Sequence, residues 1–495
     1  HLAALISGDF LKRYHELLGD NVLYVSGTDC HGTPITERAK REKIEPKDIA
    51  EKYHNEFKSI FEKMNFSYDL YTKTCDEYHK KHVEEMFLKM YKNKYIYPKK
   101  NLQPYCKHCG KFEADRELEL ICPNCGLVTK GDQCDCGYVP NEDDLIGATC
   151  RECGNKTIQK ENTHLYIALS KFQSQIEQYV KEKQKNWRIA SINETEKYLK
   201  QGLKDRAVTR DLDWGIEIPL PGYETKRMYV WIEAVLGYLT DTMKLAEENG
   251  FSWEDFWKEG HNNKIYMCHG KDNIVFHSII FNGLLAGLED NFHLVDVIVS
   301  TEYLNINDEK ISKSKGNGIT ALEMLEKYNT DSLRFHIINN GPEKKDTNFT
   351  IEEFERTHNN EILNKFGNLV NRTLRFKELT QIPDGKLDEQ AKVEIEKTYK
   401  EVSNLIENLE FRAATQKVME LVEYANKFYD ESKPWIQKKE DIEGFNNTIY
   451  TCAVIIANLS NLFEPFMPKA CKKIREYLKI QNPQWSFTTI EDGIK

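Results

Sequence analysis

The 495-residue sequence contains no long apolar run, no solenoid-type repeat and no low-complexity linker. A helix needs about 20 apolar residues to cross a bilayer, so the absence of such a run argues against a membrane span. The first residues, HLAALISGDF, include neither a basic segment nor an initiator methionine. This start argues against a secretory signal peptide and favours a trimmed chain.

Acidic residues outnumber basic ones, 79 to 69. The formal net charge is −10, which argues against nonspecific coating of nucleic acid but leaves room for local basic surfaces. Two stretches, KMYKNKYIYPKK (89–100) and NKFGNLVNRTLRFK (364–377), contain basic residues and no acidic one. The length fits roughly three domains.

Apolar periodicity predicts an α/β N-terminal region. Residues 2–19 have helical spacing and end at a glycine, while NVLYVSGTD (21–29) is typical of a buried strand. Helices are predicted near 46–65 and 76–94.

After the cysteine-rich stretch, residues 161–300 return to mixed α/β patterns. Strands are predicted in KRMYVWI (226–232) and HLVDVIVS (293–300), with Tyr229 and Val230 as core strand residues. Long amphipathic patterns from about residue 345 predict a helical C-terminal region.

Cysteine is unevenly distributed, since eight of thirteen cysteines lie between residues 106 and 153. They form three C-x-x-C pairs and one C-x-C pair, each followed by glycine: Cys106/Cys109, Cys122/Cys125, Cys134/Cys136 and Cys150/Cys153. Such knuckles are typical of structural zinc sites in a reducing compartment, rather than of disulfides. One or two zinc ions fit the spacing. A nested arrangement would join the two inner pairs and the two outer pairs.

A lysine-rich stretch, DEKISKSKGNGI (308–319), has two interpretations. It is either a solvated charge run or a loop that holds an anion. Its composition alone does not decide between them.

Several motifs together resemble methionyl-tRNA synthetases, which are class I aminoacyl-tRNA synthetases. They are SGTDCHGTPI, the cysteine knuckles, MYVWIEAVLGYL, HGKDNIVFH and KISKSKGN, in the order found in that family. The resemblance extends from residue 1 to at least residue 440. It implies an α/β Rossmann-type catalytic domain with an inserted zinc-knuckle module, followed by an all-α helical-bundle anticodon-binding domain.

The resemblance also implies domain bounds. We expect the first half of the catalytic domain at 1–97, a zinc-binding insert at 98–160 and the second half of the catalytic domain at 161–300. A linker region with the lysine loop would follow at 301–344, and an anticodon-binding domain at 345–495.

For ATP, the resemblance gives KISKS the role of the class I KMSKS loop, with Ile311 in place of methionine. Lys310 and Lys313 would act catalytically by neutralising phosphate charge, and the hydroxyls of Ser312 and Ser314 would add donors. This implication favours the anion-binding interpretation of the loop.

Two further ATP elements follow from the resemblance. His1 matches the last histidine of the first class I signature and would be catalytic and ATP-binding, with the first strand and the first signature histidine expected before it. Gly270 and Asp272 resemble the adenosine-binding stretch, although Asn273 replaces a common isoleucine there.

The methionine site is implied residue by residue. Asp29 resembles the carboxylate that binds the substrate ammonium, and Arg210 resembles the arginine that pairs with that carboxylate. The side-chain pocket would be lined by Trp231, Ala234, Tyr238 and His277, and Val235 stands where a proline is common.

For tRNA, Asn368 and Arg372 match anticodon-reading residues, and Trp435 matches a residue that stacks on an anticodon base. Asn364, Asn368 and Arg372 would share one helix face, since they are four residues apart. On the opposite face, four residues would pack inward: Leu363, Phe366, Val370 and Leu374.

The implied enzyme is a methionine–tRNA ligase of the cytoplasm, with the partners ATP, L-methionine and tRNA(Met) and no membrane. Structural Zn²⁺ and Mg²⁺ with ATP would be its metal ions, and its oligomeric state stays open. The branched-chain synthetases are disfavoured because there is no room for their editing insertion, and the cysteine enzyme because its zinc lies in the substrate pocket. The alternative is a catalytically impaired fragment that acts only as a zinc-containing tRNA-binding protein.

Overall fold

A computed structural model describes residues 2–131, 134, 136, 140, 143–306, 320–377 and 379–490. The N-terminal region alternates helices and strands: α1 (Leu2–Leu18), β1 (Val25–Thr28), α2 (Thr33–Glu42), α3 (Pro46–Lys63), β2 (Leu70–Lys73) and α4 (Glu77–Lys92). The predicted helices at 2–19, 46–65 and 76–94 are therefore confirmed. Gly19, at φ 89, ends the first of them because glycine adopts this left-handed conformation without strain.

The cysteine-rich region is built from short antiparallel strands: β3 (Ile96–Cys106), β4 (Lys111–Phe112), β5 (Leu118–Ile121), β6 (Val128–Lys130), β7 (Thr149–Cys150) and β8 (Ile158–Ile167). β3 and β8 pair along their length, from Ile96 opposite Ile167 to Tyr105 opposite Ile158. These are the two central strands of a four-stranded sheet, which connects the knuckles to the rest of the protein.

The next region returns to mixed structure: α5 (Gln173–Lys183), α6 (Ile189–Lys200), β9 (Arg206–Ala207), β10 (Thr209–Arg210), β11 (Arg227–Met228), α7 (Val230–Glu233), α8 (Gly237–Asn249), α9 (Glu254–Trp257), β12 (Tyr266–Gly270), α10 (Phe281–Gly287), β13 (Val297–Thr301) and β14 (Leu304–Ile306). The strand predicted in 293–300 is confirmed by β13.

The C-terminal region is helical apart from one short strand: α11 (Ala321–Lys327), α12 (Thr330–Asn340), β15 (Thr347–Phe349), α13 (Ile351–Thr357), a π-helix (His358–Gly367), α14 (Asn368–Leu374), α15 (Glu389–Glu407), α16 (Phe411–Ser432), α17 (Pro434–Glu440), α18 (Ile442–Leu462) and α19 (Pro468–Tyr477). No helix among the residues described above is long and apolar enough to cross a bilayer.

Three residues depart from their local predictions. Tyr229 lies in no strand and is half-buried instead of lying in the core. Val230 begins helix α7 instead of continuing a strand, because the Tyr229 carbonyl already accepts a helical hydrogen bond from the Ile232 amide. Leu363 is 53% exposed instead of packed inward. It lies in the π-helix, whose wider turn shifts side chains away from the face that α-helical spacing assigns. Phe366 and Leu374 are buried as predicted.

Parallel strand pairs with helical crossovers form the α/β part. β1 pairs with β2, β12 with β13 and β14 with β15, all parallel. β1, β12 and α1 all contribute residues to one cavity of about 980 Å³. The carboxyl ends of parallel strands are where α/β sheets bind ligands, so the ends of β1 and β12 are the places to examine for a site.

One apolar core joins the two ends of the chain. It packs α1 and β13 against α12 and the C-terminal helices α15, α16, α18 and α19. Within it, the fully buried Arg334 of α12 donates to the Asp9 carboxylate at 2.5 Å and to the carbonyls of Met64, Pro465 and Phe466. The helical region is thereby fixed to the α/β region by both packing and ionic contacts.

Candidate functional site

Asp29 follows β1 and lines a narrow recess, the Asp29 recess, together with Thr74, Ala234 and Tyr238. Asp29 is accessible to solvent, and the neighbouring protein atoms desolvate its carboxyl group in part. This partial desolvation raises the pKa of Asp29 to about 6, and the nearby Glu233 carboxylate adds to the rise. The structure therefore brings three of the residues predicted to bind methionine into one place.

Tyr238 and His277 are joined by a hydrogen bond of 2.9 Å between the hydroxyl and Nε2. Nδ1 of His277 lies 2.8 Å from the Asn273 carbonyl, which can only accept, so Nδ1 carries the proton and Tyr238 donates to Nε2. Burial lowers the pKa of His277 to about 4, so the imidazole is neutral near pH 7. The ring also stacks on His269 at 4.2 Å between centroids.

Trp231 stacks on Phe276, with 4.5 Å between ring centroids and 20° between ring planes. Phe276 begins a π-helical turn that also carries His277. Such turns are frequent at functional sites because they change the direction of side chains within a helix. An aromatic wall beside a neutral histidine suits an uncharged, polarisable side chain such as a thioether.

Arg210 differs from its predicted arrangement. Its guanidinium lies 4.0 Å from the centre of the Tyr229 ring and donates to the backbone carbonyls of Ala207 and Thr209. Within the part of the chain that the structure describes, no ion pair joins Arg210 to Asp29. The aromatic ring and the two carbonyls hold the guanidinium in its place.

A buried carboxylate between two histidines was not predicted as part of the site. Oε1 of Glu233 lies 2.8 Å from Nδ1 of His31, and Oε2 lies 3.1 Å from Nε2 of His79. Burial alone would raise the pKa of Glu233, but the hydrogen bonds from both histidines lower it. This network ties the loop after Asp29 to helix α7, which carries Trp231.

The predicted adenosine-binding stretch follows β12. A Cβ atom added at Gly270 would meet no atom within 4 Å, so the backbone there borders open space. Asp272 is exposed and accepts a hydrogen bond from the Tyr303 hydroxyl, and Lys271 is held by Glu302 at 2.6 Å. The role of Gly270 and Asp272 toward ATP stays a prediction.

The remaining predicted ATP residues lie outside the described residues. They are His1, Lys310, Ser312, Lys313 and Ser314.

The eight cysteines of the insert form two groups of four. The outer group is Cys106, Cys109, Cys150 and Cys153, and the inner group is Cys122, Cys125, Cys134 and Cys136. This is the nested arrangement that the sequence suggested.

The sulfur positions fit tetrahedral zinc. Tetrahedral bonds of about 2.3 Å to sulfur imply about 3.8 Å between sulfurs. The closest pairs are 3.4 Å apart for Cys106 and Cys153 and 3.5 Å apart for Cys125 and Cys134, and all four sulfurs of each group lie within 4.8 Å of one another. Such separations are far too long for disulfide bonds. Both groups could therefore hold a zinc ion.

Glycine shapes the knuckles. The amides of Gly110, Gly126 and Gly154 donate to the carbonyls of Cys106, Cys122 and Cys150, respectively. All three glycines have φ between 70 and 74, which favours glycine over residues with a side chain. This turn brings the thiols close together and requires a positive φ. It therefore explains why glycine follows the second cysteine of these three pairs.

The residues predicted to read the anticodon lie on one surface of the helical region. The Arg372 guanidinium lies 4.2 Å from the centre of the Tyr429 ring and donates to Asp430 at 2.6 Å. Trp435 lies 6.2 Å from the same ring and is 48% exposed, so it is not a core anchor. Asn368 is exposed one helical turn before Arg372. Tyr429 and Asp430, which position the arginine, were not predicted.

Comparison with known proteins agrees with this architecture. Residues 1–374 match the family described as tRNA synthetases class I (M), and residues 382–492 match the anticodon binding domain of methionyl tRNA ligase. The fold is similar to that of a Mycobacterium tuberculosis methionyl-tRNA synthetase bound by methionyl-adenylate. That match has a TM-score of 0.80 and 21% identity, and covers 100% of this chain and 94% of the other. The chain thus has the architecture of a class I aminoacyl-tRNA synthetase.

Curated relatives narrow this class. Methionine–tRNA ligase 1 of Alkaliphilus oremlandii (strain OhILAs) is 44% identical over 499 residues, covering 100% of this chain and 92% of the relative. Methionine–tRNA ligase of Bacillus mycoides (strain KBAB4) is 44% identical over 491 residues, covering 98% and 90%. The chain belongs to the methionine–tRNA ligase family, which confirms the fold class and the enzyme predicted from the sequence.

Proposed function

We propose that the chain joins L-methionine to tRNA(Met) in two steps at the Asp29 recess. Methionine and ATP first give methionyl-adenylate and diphosphate, and the methionyl group then passes to the terminal ribose of the tRNA with release of AMP. The observation that carries this proposal is the convergence of Asp29, Ala234 and Tyr238 at the end of β1. Because both substrates and tRNA(Met) are present in the cytoplasm, we place the reaction there.

Asp29 would hold methionine by its ammonium group. A carboxylate whose pKa is raised to about 6 by partial desolvation regains a favourable partner when a cation binds. Trp231, Ala234 and Tyr238 would line the side-chain pocket, with His277 kept neutral behind the tyrosine. The aromatic side chains of Trp231 and Tyr238, beside a neutral histidine, suit an uncharged amino-acid side chain.

Arg210 would contribute differently from its predicted pairing. Its contacts with Tyr229 and two carbonyls support a role in positioning the chain that leads into α7, and thus Trp231. We therefore assign it this positioning role and not an ion pair with Asp29.

For ATP, Lys310 and Lys313 would stabilise the charge that develops on the α-phosphate, and Ser312 and Ser314 would donate hydrogen bonds to phosphate oxygens. His1, Gly270 and Asp272 would complete the nucleotide site. Mg²⁺ bound to ATP supplies further charge neutralisation. Neither step needs a side-chain nucleophile, so positioning and electrostatic stabilisation carry the catalysis.

The two cysteine groups would each hold one structural zinc ion. Four thiolates fill a tetrahedral shell and leave no position for substrate, which supports a structural and not a catalytic role. Zinc would fix the fold of the insert, which the apolar cluster of Leu118, Leu145 and Ala148 is too small to do alone.

The surface of Asn368, Arg372 and Trp435 would read the anticodon. An exposed tryptophan offers a stacking platform for an unpaired base, and the arginine is preorganised by Asp430 and Tyr429. Asn368 would supply an amide for hydrogen bonds to a base edge.

Charging of tRNA tests the overall proposal. Purified full-length protein, ATP and tRNA(Met) are incubated with methionine, or with leucine, isoleucine, valine or cysteine in parallel. Esterification with methionine at least 1,000-fold above the other amino acids in kcat/KM is expected. Equal charging by another amino acid would refute the assignment, and tRNA binding without any charging would favour the RNA-binding alternative.

A further inference from the structure

Cys30 and Cys75 lie at the ends of neighbouring parallel strands, outside the two zinc groups. β1 and β2 pair in register, with Thr28 opposite Lys73. The paired residues end at Thr28 and Lys73, and Cys30 and Cys75 each follow two residues later. Neighbouring strands are about 4.8 Å apart, which falls within the range that a disulfide can span.

The chain is tied together beyond the last paired residues. The Thr74 amide donates to the Thr28 carbonyl at 3.0 Å, and the Cys30 amide donates to the Thr74 hydroxyl at 3.0 Å. These two hydrogen bonds hold Thr28 and Cys30 of one chain segment against Thr74, the residue directly before Cys75. The structure holds both thiols free.

The two thiols interact and have unlike environments. Cys30 is fully buried and Cys75 is partly exposed. Sγ of Cys30 donates to the Thr28 carbonyl at 3.4 Å. The neighbouring Cys30 thiol and Lys73 lower the pKa of Cys75 to about 7, whereas the Cys75 thiol raises the pKa of Cys30. An accessible thiol with thiolate character beside a second thiol is the arrangement of a redox-sensitive pair.

We propose that Cys30 and Cys75 form a reversible disulfide on exposure to peroxide, and that this bond slows methionine activation. Cys75 thiolate attacks one oxygen of hydrogen peroxide, which breaks the O–O bond and gives a sulfenic acid and hydroxide. The Cys30 sulfur then displaces hydroxide from that sulfenic acid, forming the S–S bond, and its proton leaves with the hydroxide as water. Two thiols and one peroxide give one disulfide and two waters.

The disulfide bond would change the shape of the Asp29 recess. Its effect on methionine activation rests on the proposed function of that recess. Asp29 is the residue directly before Cys30, and Lys73 and Thr74, directly before Cys75, line the same recess. Drawing the two sulfurs into a covalent bond would displace both walls of the recess together. The expected effect is weaker methionine binding, seen as a rise in KM of about fivefold or more.

Peptide mapping tests the bond itself. Reduced protein is treated with graded hydrogen peroxide, blocked with N-ethylmaleimide and digested with trypsin without reductant. Cleavage after Arg13, Arg38, Lys73 and Lys80 would leave a disulfide between peptides 14–38 and 74–80. We expect this linked peptide at peroxide concentrations that release no zinc, as followed by a colorimetric zinc chelator. Its absence while other thiols become oxidised would overturn the proposal.

Steady-state kinetics on the same samples test whether the disulfide weakens methionine binding. The KM for methionine in ATP–pyrophosphate exchange should rise on oxidation and return with dithiothreitol, whereas Cys75→Ser and Cys30→Ala should not respond. Cys452→Ala, which removes a buried cysteine of α18, is the matched control and should respond like the wild type. A linked peptide with unchanged KM would overturn the regulatory half. Absence of ATP–pyrophosphate exchange in the reduced protein would instead refute the proposed function. Peptide mapping would still show whether the Cys30–Cys75 disulfide forms.

Discussion

The Tyr238 hydroxyl donates a 2.9 Å hydrogen bond to Nε2 of the buried, neutral His277. Nδ1 of the same ring is bound to the Asn273 carbonyl, so the histidine cannot turn without losing a partner. The tyrosine that lines the Asp29 recess is therefore held by a ring that is itself held by the backbone. Preorganisation of this kind would let the proposed pocket bind methionine without first ordering its walls.

Tyr238→Phe should destabilise the protein by about 1–3 kcal/mol, because Nε2 of His277 is left buried without a donor. The KM for methionine should rise as the pocket wall loses its fixed position. Urea unfolding and ATP–pyrophosphate exchange measure the two effects. Tyr105→Phe is the control, since its ring contacts with Phe112 and Lys160 survive the change. An equal loss of stability in both variants would contradict the role of the hydrogen bond.

Methionine binding should depend on pH through Asp29. The pKa of this carboxyl group is raised to about 6, so it is protonated below pH 6 and loses its attraction for the substrate ammonium. The KM for methionine should be constant above about pH 7 and rise about tenfold for each unit below pH 6. Exchange kinetics between pH 5 and 8 measure this. A flat profile over that range would contradict the assignment.

Asp9→Asn should destabilise the junction between the α/β region and the helices by about 3–5 kcal/mol, because Arg334 is then buried without its counter-charge. Asp255→Asn, which removes an exposed partner of His261, should cost at most about 1 kcal/mol. Urea unfolding near pH 7 measures both. Similar losses in the two variants would contradict the role of the buried pair.

Acid should weaken the same junction. Burial by itself would raise the pKa of Asp9, but Arg334, Arg13 and Ser67 lower it to about 2. A group whose pKa is lowered on folding stabilises the folded state above its unfolded pKa, near 4. This contribution, about 2 kcal/mol, should disappear as the pH falls from 4 to 2. Asp9→Asn should lose stability less steeply over that interval, as unfolding at each pH would show.

Elemental analysis should find two zinc ions per chain. Cys106→Ser should remove one ion by breaking the outer group, and Cys122→Ser should remove one by breaking the inner group. Cys471→Ser, in α19, is the control and should retain both ions. A single zinc in the wild-type protein would show that one group is not a metal site.

Trp435→Ala should lower kcat/KM for tRNA(Met) by about 5- to 100-fold, which corresponds to loss of one base–aromatic stack. Exchange with methionine and ATP should stay unchanged, since α17 lies in the helical region. Ile436→Ala, the next residue and also exposed, is the matched control and should charge tRNA like the wild type. Equal losses in charging and exchange would contradict the anticodon assignment.

The sequence predicted the parts of the site that short motifs encode. The cysteine groups followed from the order of the pairs, and Asp29 and Tyr238 lie together as the motifs implied. It did not predict the His31–Glu233 contact, since 202 residues separate the two and neither spacing nor composition connects them. The Arg210–Asp29 ion pair is not formed among the described residues for a similar reason, because the direction of Arg210 depends on the position of the Tyr229 ring in the folded chain. The part of Arg210 in methionine binding stays a prediction.

Predictions from residue periodicity were also wrong where the backbone departs from regular geometry. Val230 has the composition of a strand residue, yet tertiary structure turns the chain into a helix there. Leu363 was assigned to the inner face by a period of 3.6 residues, whereas the π-helix has a longer period. Neither departure leaves a signal in the sequence that periodicity can detect.

Methionine-dependent ATP–pyrophosphate exchange by wild-type and Asp29→Asn protein tests the central claim most directly. The account predicts exchange in the wild type, and at least a 50-fold loss of kcat/KM for methionine in the variant with the KM for ATP little changed. Asp384→Asn, which alters an exposed aspartate before α15, serves as the control and should match the wild type. Wild-type rates in Asp29→Asn would contradict the claim that methionine is activated at this recess.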